Sequence, residues 1–113
     1  MTTEFYTLLS ALSAEFGPTG CECRVAALLE NELSGLCDCS RDRMGSLICH
    51  LPGKGEKLLL VAHMDEAGFM VTDIDDKGYL RIAPTGNADP ACFLGKHLTV
   101  GNETVLLKGI GGG

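Results

Sequence analysis

The sequence predicts an α/β fold, and three observations carry that prediction. Two helical hydrophobic periods open the chain, an apolar run at Leu58–Ala62 follows them, and strand-length segments alone fill the remainder after about Asp65. A run without polar alternation suits a strand buried on both faces, as in a parallel sheet covered by helices. The change from helices with strands to strands alone marks a boundary between an α/β domain and a β-rich one.

Each element has its own local reason. Phe5, Leu8, Leu9, Leu12 and Phe16 recur at helical spacing and predict an amphipathic helix from about Thr3 to Phe16. Gly17-Pro18 ends it, and Thr19-Gly20-Cys21-Glu22 matches a capping box that opens a second helix. Val25, Leu28, Leu29 and Leu33 form that helix's apolar stripe, and Ser34-Gly35 stops it. Short strands are predicted at Leu36–Cys39 and Ser46–Leu51 around the turn Arg41–Gly45. Pro52–Glu56 turns into the buried strand, which begins at Lys57 and ends in His63-Met64-Asp65-Glu66. Phe69–Ile74 and Tyr79–Ala83 form a hairpin about Asp75-Asp76-Lys77-Gly78, whose residues tolerate positive φ. Pro84–Pro90 reads as a loop, and Lys96–Val100 with Thr104–Lys108 as a further hairpin around Gly101-Asn102. Gly109-Ile110-Gly111-Gly112-Gly113 cannot finish a core element, so the sequence reads as interrupted there.

Composition narrows the function. With 113 residues the chain suffices for one small domain or part of a larger one. A hydrophobic content of 45% excludes a disordered chain. The net charge of −6, with no basic cluster, argues against a nucleic-acid partner. No apolar stretch approaches membrane-span length, and no basic start with an apolar core resembles a secretory signal. The expectation is a cytoplasmic protein with no membrane or nucleic-acid partner.

Cysteines stand at 21, 23, 37, 39, 49 and 92, with two Cys-x-Cys pairs among them. Without an export signal, reduced thiols are expected rather than disulfides. A structural zinc site from Cys21, Cys23, Cys37 and Cys39 is conceivable, but zinc sites usually space their cysteines more widely. Buried, unligated thiols are the preferred reading. Cys23, beside Arg24, is the only cysteine at a helix start flanked by positive charge, and one neighbouring cation does not establish a nucleophile.

The candidate chemistry sits at the end of the apolar run. Open α/β sheets place ligands at the carboxyl ends of their strands. Period two puts His63 and Asp65 on one side of an extended strand. Imidazole ligates zinc or cobalt, and a nearby carboxylate can be a second ligand or fix the ring's tautomer. A metal-dependent hydrolase is therefore the leading reading, against a core histidine. His50 and His97 occupy ordinary strand positions, and Glu66 reads as a solvated strand end. Asp73, Asp75 and Asp76 lack the spacing of a calcium loop, and the terminal glycines lack the lysine and helix of a phosphate loop.

Ordered motifs then resemble a known family. Ala62-His63-Met64-Asp65-Glu66-Ala67-Gly68-Phe69-Met70-Val71 resembles the first metal-binding motif of the dinuclear-metal aminopeptidases that build tetrahedral, twelve-subunit particles. Gly17-Pro18-Thr19-Gly20-Cys21-Glu22, Asp42-Arg43-Met44-Gly45, Asp75–Leu80, and Asp89-Pro90 with Leu94-Gly95-Lys96 match that family's motifs in order. Ser46 replaces a usual asparagine, and Asn87 replaces the second glycine of a Gly-Gly pair. Some members carry glucanase names, which the metal motif gives no reason to accept.

The resemblance implies an enzyme that removes amino-terminal residues from peptide substrates with two divalent metal ions, zinc or cobalt. It implies a homo-oligomer at full length. Residues 1–84 would be the amino-terminal part of a zinc-peptidase-like α/β sheet domain. Residues 85–113 would begin an inserted β-barrel-like domain that serves oligomerisation. His63 would ligate one metal, and Asp65 would hold His63 through its other ring nitrogen. The family's bridging aspartate, adjacent glutamate pair, further carboxylate and final histidine would fall after residue 113, so this segment alone is expected to be inactive. The alternative is a non-catalytic truncated relative acting in subunit association or weak metal binding.

Overall fold

The computed structural model describes residues 3–101 and 103–106. The chain divides into two compact units, with the break between Glu66 and Ala67.

The first unit opens with helix α1, Thr3–Ala14. Leu8, Leu12 and Phe16 are half-buried, whereas Phe5 and Leu9 are exposed. Just past the helix, the Glu15 carboxylate accepts from Phe16 N–H at 3.0 Å. Helix α2 covers Cys23–Leu33 and supplies the two buried apolar side chains among the described residues, Val25 and Ala26. Leu28, Leu29 and Leu33 of its stripe are half-buried.

The expected capping box is not what starts α2. Glu22 is the N-cap and makes no side-chain cap bond; its carboxylate accepts from Gly20 N–H at 2.7 Å instead. Thr19 donates its hydroxyl to Asp65 Oδ2, so it is committed to a distant partner rather than to the helix.

Strands β1, Asp38–Arg41, and β2, Leu47–His50, form an antiparallel hairpin in which Cys39 faces Cys49. Asp42 fixes its turn, because Oδ1 accepts from Met44 N–H at 2.9 Å and from Ser46 N–H at 2.8 Å. Gly45, at φ 91°, takes the left-handed position that a side chain would strain. β2 packs against α2, and Arg41 donates two bonds to Glu30 of that helix.

The second unit begins with the hairpin of β3, Gly68–Ile74, and β4, Leu80–Thr85. Asp75 repeats the device of Asp42, its Oδ1 accepting from Lys77 and Tyr79 N–H at 2.9 Å each, with Gly78 at φ 82°. A register shift between Val71 and Asp73 puts a bulge in β3. A 3₁₀ turn, Pro90–Phe93, follows, begun by Asp89 accepting from Ala91 N–H. Phe93 meets Phe69 edge to face, with ring centroids 5.1 Å apart. β5, His97–Val100, pairs with β6, Glu103–Leu106. Asn102 of the expected turn, Leu107 and Lys108 of the expected last strand, and the terminal run at 109–113 lie outside the described residues.

Two expectations are corrected. Helices and strands mix as an α/β arrangement requires, but the described residues show neither the zinc-peptidase-like sheet nor a β-barrel-like structure. Each sheet has two antiparallel strands, and none closes or curls strongly. Closure requires several tilted strands in continuous register, which separate two-stranded ribbons cannot supply. The run at Leu58–Ala62 is also not a buried strand. Residues 57–65 form no ladder, and Leu58, Leu59, Leu60 and Val61 are between 83% and 85% exposed. A strand apolar on both faces needs neighbours on both edges and cover on both faces. Among the described residues nothing provides them.

Candidate functional site

The end of that run is anchored even though the run itself is not. Glu66 N–H donates to the Gly17 carbonyl at 2.9 Å, Gly17 N–H reaches Glu66 Oε1 at 3.5 Å, and Pro18 and Glu66 form an isolated parallel bridge. Glu66 is exposed but not merely solvated: it ties the loop to the segment between the two helices. Gly17 is buried there, and a Cβ on it would meet Val25 Cγ2 at 2.6 Å. Glycine is thus required by a close approach rather than by a turn.

This anchor sets Asp65 between two partners. Its Oδ2 accepts the Thr19 hydroxyl at 2.8 Å, and its Oδ1 lies 3.0 Å from His63 Nδ1. The Asp65 carbonyl is 2.9 Å from the same ring nitrogen. The Thr19 hydroxyl, with a smaller contribution from His63, holds the Asp65 carboxyl below the ordinary carboxylate range, against partial burial that pushes it up. An ionised Asp65 accepts from a protonated Nδ1, which selects the tautomer whose Nε2 carries the lone pair. The His63 side chain is 85% exposed, so the ring is open to solvent.

A second cluster lies on one face of the β1–β2 hairpin. Cys37 Sγ is 3.7 Å from Cys39 Sγ, which is 3.5 Å from Cys49 Sγ. Among the described residues this is the one group of three or more metal-ligating side chains, with sulfurs all within 4.8 Å, and it is capable of coordinating one metal ion. Burial, and then the bond to Cys39, push the Cys49 thiol up to about 11 and raise Cys37 in the same way.

The four-cysteine set conceivable from sequence does not assemble. Cys21, Cys23 and Cys92 are exposed, while Cys37, Cys39 and Cys49 are half-buried, so none is the fully buried thiol expected. Arg24, the positive neighbour of Cys23, lies 3.8 Å from Glu15. His50 and His97 stay in strand positions.

Comparison with known proteins decides the family. The model of the M42 glutamyl aminopeptidase family matches residues 45–113. The chain belongs to the M42 glutamyl aminopeptidase family. An Acetivibrio thermocellus protein provisionally named an aminopeptidase is 34% identical over 103 residues, 90% of this chain and 31% of that protein. The lysyl aminopeptidase of Pyrococcus furiosus is 39% identical over 57 residues, 50% of this chain and 16% of its own. The Pyrococcus horikoshii TET1 peptidase, which can assemble into a tetrahedron or a large octahedral shell, superposes with a TM-score of 0.79 at 27% identity. That match covers 96% of this chain and 34% of the TET1 chain. This M42 chain therefore spans about a third or less of the length of these relatives.

Proposed function

We propose that this segment supplies one corner of the metal site of a two-metal aminopeptidase that hydrolyses amino-terminal residues from peptides. The observation that carries the reading is the bonded series Thr19–Asp65–His63 within a motif of an M42 chain. His63 is the ligand, through Nε2. Asp65 is a positioning residue: it holds the ring, fixes its tautomer and raises its basicity. Thr19 in turn fixes Asp65.

The residues present fit one ligand and its orienter, not a complete shell. Zinc or cobalt takes four or more donors, and His63 is not part of a group of three among the described residues. A pair of such ions, when bound, polarises the substrate carbonyl and lowers the pKa of the attacking water. Activity accordingly belongs to a chain of the relatives' length, acting as a homo-oligomer in the cytoplasm. A second reading, association without catalysis, is favoured by one observation, the exposed apolar run Leu58–Val61.

The test uses a complete-length version with aminoacyl chromogenic substrates and added zinc or cobalt. His63→Ala should abolish the metal-dependent activity, and Asp65→Asn should retain a fraction of it with a shifted pH profile. Full activity in His63→Ala would remove the assignment.

A further inference from the structure

We propose that Cys37, Cys39 and Cys49 form a binding site for one thiophilic metal ion of the closed-shell class that zinc(II) and copper(I) share. The site is independent of the His63 reading, because it uses none of the same residues or elements.

Three features build it. Cys39 and Cys49 are register partners across β1 and β2, so the ladder sets their separation. Cys37 precedes Cys39 by two residues, and its sulfur lies 3.7 Å away on the same face. The hairpin register is pinned by Asp42, whose carboxylate accepts from both Met44 and Ser46 N–H. The sulfurs are therefore placed before any ion arrives.

Their spacing suits the chemistry. Zinc–thiolate bonds of about 2.3 Å in a tetrahedron put the sulfurs about 3.8 Å apart, and Cys39 Sγ lies 3.7 Å from Cys37 Sγ and 3.5 Å from Cys49 Sγ. All three are free thiols and half-buried, accessible to an ion yet partly shielded from water. Soft thiolate donors select zinc(II) and copper(I) over magnesium or calcium. Binding converts three thiols to three thiolates and releases three protons to the buffer, with no change in the metal's oxidation state. Zinc(II) would take water in a fourth position; copper(I) is satisfied by three thiolates.

The test titrates the reduced full chain, under anaerobic conditions and without added chelating reductant, with zinc(II) and separately with copper(I). Bound metal is measured together with thiol alkylation mapped by mass spectrometry. The expected result is one equivalent of at least one of these ions, with Cys37, Cys39 and Cys49 protected while Cys21, Cys23 and Cys92 react. Cys49→Ser should weaken binding by more than about 100-fold, beyond the loss caused by removing an outer partner of a ligand. Cys21→Ser/Cys23→Ser should leave it unchanged. The alkylation pattern of the wild-type chain decides the matter even if Cys49→Ser fails to fold. Alkylation of the three cysteines at equal rates with and without both ions would overturn the proposal. So would binding that follows Cys21 and Cys23.

Discussion

The β1–β2 hairpin and the apolar run that follows it teach opposite lessons from neighbouring stretches of one unit. The hairpin is polar in part and only half-buried, yet it is regular, because Asp42 and Gly45 close its turn from within. The run at Leu58–Val61 is far more apolar, yet it forms no ladder and stays exposed. Turn chemistry acts over four residues and needs no partner, whereas burial on two faces needs several. Order here follows local bonding rather than hydrophobicity. Only the end of the run, where Glu66 bonds to Gly17, is tied down.

The largest effect expected from breaking this contrast lies at that tie. Gly17→Ala places a methyl against the stiff, β-branched Val25 and should destabilise the first unit by about 1–3 kcal/mol in chemical unfolding. Gly45→Val attacks the local device instead. A left-handed valine there should lower stability by about 1–2 kcal/mol and remove the β1–β2 cross-strand contacts in NMR spectra.

A smaller effect comes from acid. Backbone and side-chain bonds from Ser46, with the Met44 and Gly45 amides, hold the Asp42 carboxyl below its ordinary value. Its contribution is thus complete above the unfolded carboxylate's value, near pH 4, and is lost as pH falls through the lower folded value. Asp42→Asn should flatten that part of the pH–stability curve. Smallest of all is Leu59→Asp, which should change unfolding stability by no more than about 0.5 kcal/mol if the run is as exposed as it is here. A large loss would show that the run is covered.

The same contrast explains what the sequence discloses. Helical periods at Phe5–Phe16 and Val25–Leu33 and the Asp-to-Gly turns at 42–45 and 75–78 are local statements, and the structure has α1, α2 and both hairpins. The buried strand and the barrel-like domain rest on partners far along a chain, and sequence pattern does not say whether they are supplied. Thr19 shows the same limit: a capping signal within four residues yields to an aspartate 46 positions away. The cysteine cluster was legible in part. The hairpin centres on Met44 and so pairs Cys39 with Cys49, a register that two short strands around a turn at Arg41–Gly45 leave open. The Asp65–Thr19 contact had no comparable signal.

The central claim is that His63 presents Nε2 to a metal while Asp65 holds Nδ1. The most direct measurement is a long-range proton–nitrogen NMR correlation of the histidine rings during zinc titration of a complete-length version. The expected result is a His63 ring protonated at Nδ1 before metal, with zinc shifting Nε2 and leaving Nδ1 protonated. Zinc-induced shifts at His63 Nδ1, or at His50 and His97 but not His63, would contradict it.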